Sequence, residues 1–185
     1  MLLVLVPPLY AASGPGQWVA TTLEDTRSDV AGIHFYDAQQ GVCCGGAGVW
    51  RTRDGGLSWE SLPIPKTRNR KTGKEGHGWY SVRMVTPEDI WAYGQLHPGG
   101  MDQTQLLRSA DGGQTWEEVL AGKLDHVGPL VFDGPKWWVL AENGSLAYVS
   151  QDRGETWKPV NLGRRGPQSI RPVFPDGQGR ICRWL

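Results

Sequence analysis

Aspartates with a fixed set of neighbours recur three times in this sequence. Each occupies the third position of the pattern Ser/Thr-x-Asp-x-Gly-x-Ser/Thr-Trp. Paired carboxylates can act as acid, base or nucleophile in glycoside hydrolysis. Recurrence in every copy indicates a turn instead, because Asp accepts hydrogen bonds from turn N–H groups and Gly adopts positive φ values. We therefore predict no catalytic residue and three structural boxes: Asp54, Gly56 and Trp59; Asp111, Gly113 and Trp116; Asp152, Gly154 and Trp157.

Histidines and cysteines are not spaced here as metal ligands. His77 and His97 have no carboxylate or cysteine neighbours at ligand spacing. Adjacent Cys43 and Cys44 suit neither a zinc knuckle nor a disulfide framework. We predict no metal and no cofactor, and we interpret these two cysteines and Cys182 as small core residues.

Charge is balanced over the whole chain but concentrated in one segment. Nineteen basic and nineteen acidic residues cancel, which argues against a general nucleic-acid binder. Residues 66–75, here called the basic segment, contain five basic residues and one acidic residue. This segment is either a solvated insertion or a docking patch for an acidic protein partner. The candidate binding residues in and near it are Arg68, Arg70, Lys71, Trp79, Tyr80 and His97.

Other aromatic and charged residues leave two interpretations open. Trp91 and Tyr93 alternate in a predicted strand. They are either core residues between sheets or a platform on which a sugar ring stacks. His34 and Arg83 occupy equivalent places on the first strands of successive repeats. They either face a central channel or are solvated strand residues.

The elements that position these residues are short strands. Trp116 and Trp157 are 41 residues apart, the usual length of a four-stranded propeller blade. Apolar or alternating runs separated by turn residues precede each box, and no segment has a sustained helical period. In the first repeat the expected strands are Gly32–Tyr36, Gly41–Cys44, Val49–Thr52 and Leu57–Glu60.

The predicted fold is therefore an all-β propeller of four-stranded antiparallel blades, with about four blade equivalents in one domain or fragment. A degenerate first box ends at Trp18, and strands near Leu2–Val6 and Ile181–Leu185 could complete a fourth blade. A fragment of a larger propeller would instead have open edges, through which it could self-associate. The expected blade units are 1–23, 29–62, 79–120, 126–161 and 168–185, with an insertion at 63–78.

Blade topology also sorts the loops by face. If each box joins strands three and four, the loop between strands one and two lies on the same face as the box. These loops, residues 37–40, 86–89 and 133–136, are short and regular. The longer, irregular segments lie on the opposite face, where we expect binding to occur.

The run from Ile33 to Trp59 carries a family resemblance. Its Gly-rich turn and the box Thr52-Arg53-Asp54-Gly55-Gly56-Leu57-Ser58-Trp59 resemble the Asp-box (BNR) repeat of sialidase-like propellers, and most of all the photosystem II stability/assembly factor-like group. That resemblance implies a non-catalytic scaffold that docks other proteins, often outside the cytoplasm or at a membrane surface.

The same superfamily also implies two alternatives. One is a glycoside hydrolase fragment, although the Arg-Ile-Pro motif of sialidases is absent and no Tyr/Glu pair stands out. The other is a carbohydrate-binding module. An extracytoplasmic location is expected, and residues 1–12 are either the end of a secretion signal or a first strand.

Overall fold

All regular elements in the described part of the chain are β-strands. The computed structural model describes residues 23, 30–46, 48–65, 67–68, 75–76, 78–95, 104–124, 130–141, 145–162, 174–175 and 181–182. The strands are β1 Val30–Phe35, β2 Gly41–Gly45, β3 Gly48–Thr52, β4 Glu60–Ser61, β5 Thr67–Arg68, β6 Glu75–Gly76, β7 Trp79–Met84, β8 Ile90–Gln95, β9 Thr104–Ser109, β10 Glu117–Val119, β11 Leu130–Asp133, β12 Lys136–Ala141, β13 Leu146–Ser150, β14 Lys158–Asn161, β15 Phe174–Pro175 and β16 Ile181–Cys182.

Three sheets of four strands have the topology of propeller blades. Their strands follow one another in chain order, as β1 to β4, β7 to β10 and β11 to β14. The eight pairings in these sheets whose registers are described are all antiparallel. The prediction of an all-β fold with four-stranded antiparallel blades is confirmed. The degenerate box before Trp18 and the run Leu2–Val6 lie outside the described residues.

The basic segment contains regular structure that the sequence analysis did not predict. β5 and β6 pair as a two-stranded hairpin in which Arg68 is the register partner of Glu75. Residues 69–74, which include Arg70 and Lys71, connect the two strands. A second two-stranded hairpin, β15–β16, lies near the C-terminus.

The fourth strand of each sheet begins later than predicted. We expected Leu57–Glu60 to form it in the first repeat, but β4 is Glu60–Ser61. The reason is local: the indole N–H of Trp59 donates to the carbonyl oxygen of Gly56 at 3.1 Å. The box therefore includes its tryptophan, and the strand starts only after it.

Two compact units divide the chain, and each has its own buried residues. The first consists of Met1–Gly99 with Gln105–Val119, the second of Gly100–Thr104 with Leu120–Leu185. In the first unit, apolar residues from both sheets form one cluster: Val42, Cys44, Val49, Leu62, Trp79, Val82, Met84, Ile90, Ala92 and Leu107. In the second, β12 and β13 contribute Trp137, Val139, Ala141 and Ala147.

Strand β2 is buried on both of its faces. Cys43 and Cys44 are both fully buried free thiols, and successive side chains of a strand point in opposite directions. Cys44 accordingly joins the large cluster, whereas Cys43 packs in a second cluster with Leu23 and Trp50. Their interpretation as small core residues is confirmed, and Cys182 has no described side chain.

Candidate functional site

Each Asp box is a closed hydrogen-bonded turn. In the second box, Oδ1 of Asp111 accepts bonds from the Ser109 hydroxyl at 2.7 Å and from the backbone N–H groups of Gln114 at 3.0 Å and Thr115 at 2.9 Å. Oδ2 accepts the Thr115 hydroxyl at 2.6 Å. Ser109 in turn accepts the N–H of Gly113 at 2.7 Å. Both carboxylate oxygens are therefore committed to the turn.

The other two boxes repeat this arrangement. Asp54 is bonded by Thr52 and Ser58, and Asp152 by Ser150 and Thr156. The Thr156 hydroxyl and N–H lower the pKa of Asp152 to about 2. The pKa of Asp111 is also well below its usual range, because Thr115 and Ser109 donate to the carboxylate. Carboxylates held ionised in this way are poor proton donors for glycoside hydrolysis.

Glycines give the boxes their shape, and one exception carries strain. The residue after the aspartate has positive φ in all three, as Gly55 (φ 73°), Gly112 (φ 74°) and Arg153 (φ 57°). Glycine adopts this left-handed conformation at little cost, whereas an L side chain is strained there. The Arg153 side chain is exposed. The strain in the third box therefore comes from the backbone conformation of Arg153 and not from burial of its side chain.

The boxes lie beside the short loops that join strands one and two. The N–H of Gly55 donates to the carbonyl of Gln39 at 2.8 Å, and that of Gly112 to Glu88 at 2.8 Å. In the second unit, Arg153 donates to Pro135 at 3.3 Å. The prediction that box and loop share a face of each blade is confirmed.

A buried arginine joins the two sheets of the first unit. Arg51 in β3 is 4% exposed. Its Nη1 donates to the carbonyl oxygen of Gly112 in the second box at 3.1 Å, and its Nη2 to Oε1 of Gln40 at 3.0 Å. Burial lowers the pKa of Arg51. This contact was not predicted from the sequence.

Arg108 occupies the same position in the second repeat, three residues before the box aspartate. Its guanidinium pairs with Asp89 at 3.0 Å and stacks over the Trp91 ring at 5.3 Å. Asp89 also accepts the indole N–H of Trp91 at 2.9 Å. An arginine repeated at one distance from the box was the signal that could have revealed both contacts.

His34 and Arg83 come together where β1 packs against β7. The backbone N–H of Met84 donates to Nδ1 of His34 at 3.4 Å. Gly32 also lies close to β7, since a Cβ there would be 3.2 Å from the Tyr80 carbonyl oxygen. Desolvation and the Arg83 charge lower the pKa of His34 to about 4. Here the contact zone is called the β1–β7 seam.

Some of the aromatic residues that we predicted near the binding surface are buried in the core, and others are exposed. Trp79 is 3% exposed and belongs to the core cluster, so its expected place at the surface is wrong, whereas a part in binding remains a prediction. Its ring packs over Gly94, where a Cβ would be 2.6 Å away. Trp91 is likewise buried, at 1% exposed. Tyr80 is 38% exposed and lies 6.2 Å from Tyr93, ring centroid to ring centroid.

The remaining predicted binding residues are only partly described. Arg68 is placed in β5, opposite Glu75, whereas Arg70, Lys71 and His97 lie outside the described residues. Among the residues with described positions, no group of three His, Cys, Asp or Glu side chains could hold a metal ion. No helix in that part of the chain is long and apolar enough to cross a bilayer.

Comparisons with known proteins agree with the box geometry and the blade topology. The family model of the BNR/Asp-box repeat matches residues 148–159. No curated protein matches the sequence significantly. A solved structure, YCF48 bound to D1 peptide, has 21% identity and a TM-score of 0.59, and the match covers 84% of this chain and 47% of that chain. YCF48 from Cyanidioschyzon merolae has 27% identity and a TM-score of 0.49 over 73% of this chain and 38% of that chain.

This chain thus spans less than half the length of the solved chains to which it is similar. The predicted resemblance to the Asp-box (BNR) repeat is confirmed by the family model at residues 148–159, and the likeness in fold to YCF48 agrees with it. The chain contains Asp-box (BNR) repeats and has the blade fold of a partial β-propeller similar to that of YCF48.

Proposed function

We propose that this chain is a non-catalytic scaffold that docks an acidic segment of another protein. The observation that carries the proposal is the likeness in fold to a YCF48 structure solved with a D1 peptide bound. A blade fold of this type accommodates a peptide in that structure. The basic segment and the adjoining exposed residue Tyr80 are the surface we assign to docking here.

Charge distribution supports this surface. The basic segment has a formal charge of +4, so the rest of a chain with no net charge carries −4. Local contrasts of this kind attract oppositely charged partners and speed their association. The hairpin β5–β6 pairs Arg68 with Glu75 in register at its stem, and Arg70 and Lys71 belong to the connection between its strands.

Continuity with a rigid element also supports the assignment. Only residues 77–78 separate β6 from β7. Trp79, the first residue of β7, is buried and anchors the strand in the core. Tyr80 follows it and is exposed. A loop attached to a fixed strand is the usual arrangement for a binding segment on a scaffold.

The two alternatives from the same superfamily receive less support. A glycoside hydrolase needs a carboxyl group that can donate a proton, but the three box carboxylates are committed to their turns. A carbohydrate-binding module needs a row of exposed aromatic rings. Trp50, Trp79, Trp91 and Trp137 are all buried.

The experiment compares binding of fluorescent peptides of equal length that differ only in their number of glutamates. Arg68→Ser, Arg70→Ser and Lys71→Ser together should weaken binding of the most acidic peptide about tenfold at 50 mM salt, because each surface charge contributes about 0.5 kcal/mol. Screening should reduce this difference at 300 mM salt. The matched control replaces the exposed cations Arg53, Lys123 and Lys158 with serine.

Two results would contradict the proposal. One is equal binding of acidic and neutral peptides by the unmodified protein, which would rule out a preference for an acidic partner. The other is an equal loss in the two triple variants, which would mean that total charge matters and the basic segment does not. Tyr80→Ala tests the adjoining surface, and it should weaken binding without changing the salt dependence.

A further inference from the structure

The β1–β7 seam contains one contact whose chemistry depends on pH. β7 is an edge strand, because its sheet runs in the order β10-β9-β8-β7, and alternate N–H groups of an edge strand face away from the ladder. The N–H of Met84 is satisfied by Nδ1 of His34, 50 residues away in the sequence. An imidazole nitrogen accepts such a bond only while it has no proton.

We propose that the hydrogen bond from the Met84 N–H to Nδ1 of His34 is an acid-sensitive latch, which joins the first strands of the two sheets at neutral pH and opens when the imidazole takes up a proton. A proton on Nδ1 would place two donors face to face. The bond would then become a repulsive contact between β1 and β7.

None of the strands β1, β2 and β7 carries an acidic residue that would stabilise a protonated His34. β1 carries no other charged residue. β2, which packs beside it, carries only the thiols of Cys43 and Cys44, and burial raises the pKa of each to about 12. β7 contributes Tyr80 and the cation of Arg83. Desolvation and Arg83 both oppose protonation of His34.

The sign of the effect follows from the two pKa values. Desolvation and Arg83 hold the pKa of His34 at about 4 when the seam is closed, against an ordinary value of 6.5 when it is open. The latch is therefore fully effective above pH 6.5 and is lost as the pH falls towards 4. At pH 5 the open form should be favoured about 30-fold more than at high pH.

His34→Asn provides a matched control, because Oδ1 of asparagine can replace Nδ1 as the acceptor and does not titrate. The measurement is the hydrogen-exchange protection of the Met84 amide, corrected for the intrinsic exchange rate at each pH. At pH 7 the two proteins should agree within about threefold. At pH 5 the protection in the unmodified protein should be about 30-fold lower than in the variant.

An NMR titration of the His34 ring gives an independent readout in the unmodified protein. The latch requires a neutral ring with its proton on Nε2 at pH 7 and a pKa well below 6.5. A ring that titrates near 6.5 in the folded protein would overturn the proposal. Equal loss of Met84 protection in both proteins at pH 5 would do the same.

Discussion

Arg51 and Gly112 are in direct contact although they are 61 residues apart in the sequence. Nη1 of the arginine donates to the carbonyl oxygen of the glycine at 3.1 Å. Gly112 has a φ of 74°, and a Cβ added there would lie 2.5 Å from the same Nη1. The second box thus needs glycine at this position for its backbone conformation and also for its contact with the first sheet.

A double-mutant cycle should detect this fit. Arg51→Met removes both hydrogen bonds of a buried guanidinium, and we expect it to lower the free energy of unfolding by about 1–3 kcal/mol. Gly112→Ala should cost more in the unmodified protein than in the Arg51→Met background, because the clash with Nη1 is then absent. Urea unfolding of all four proteins gives the coupling energy, expected to be about 1 kcal/mol or more. Strictly additive costs would mean that a Cβ at residue 112 does not disturb the position of Arg51.

The box aspartates should stabilise the protein in a pH window of their own. A carboxylate whose pKa is lower in the folded state contributes stability above its unfolded pKa of 3.8 and loses it as the pH falls further, towards about 2 for Asp152. Asp111→Asn should lower the melting temperature by roughly 3–8 °C at pH 7, and by less at pH 2.5, where the carboxyl group of the unfolded chain is mostly protonated. The control is Glu117→Gln, an exposed carboxylate outside the box. A loss of the same size at both pH values would show that ionisation of Asp111 is unimportant.

The third box should be improved by the residue found in the other two. Arg153 has a φ of 57°, which costs an L residue about 1–2 kcal/mol. Arg153→Gly relieves this strain but raises the entropy of the unfolded chain, which offsets about 0.5–1 kcal/mol. We expect a net gain of about 0.5 kcal/mol in chemical denaturation. Gly55→Ala, the reverse change in the first box, should destabilise, and a destabilised Arg153→Gly protein would contradict the strain argument.

Residue types and spacing were sufficient to predict the boxes and the blade topology. Their information is local: an aspartate, its hydroxyl neighbours and a glycine lie within seven residues and bond to one another, as in the turn from Ser109 to Thr115. The position of the loops followed from the antiparallel order alone. Gly55 and Gln39 are bonded across the first blade for that reason.

Contacts between distant parts of the chain could not be predicted in the same way. Trp79 was expected at the surface, but a register shift between Trp79 and Ser81 and the absence of a side chain at Gly94 provide space for its ring in the core. The contact of His34 with Met84 depends on how β1 packs against β7. No sequence pattern marks either contact, because each one depends on how two strands pack against each other.

The opposite orientations of Cys43 and Cys44 make β2 a natural reporter for chemical labelling. Each thiol lies in a different apolar cluster, and burial raises the pKa of both to about 12, so an alkylating reagent reaches a reactive thiolate only after the surrounding cluster opens. Mass spectrometry can distinguish modification of Cys43 from modification of Cys44. The two labelling rates would therefore show separately when each face of β2 becomes accessible.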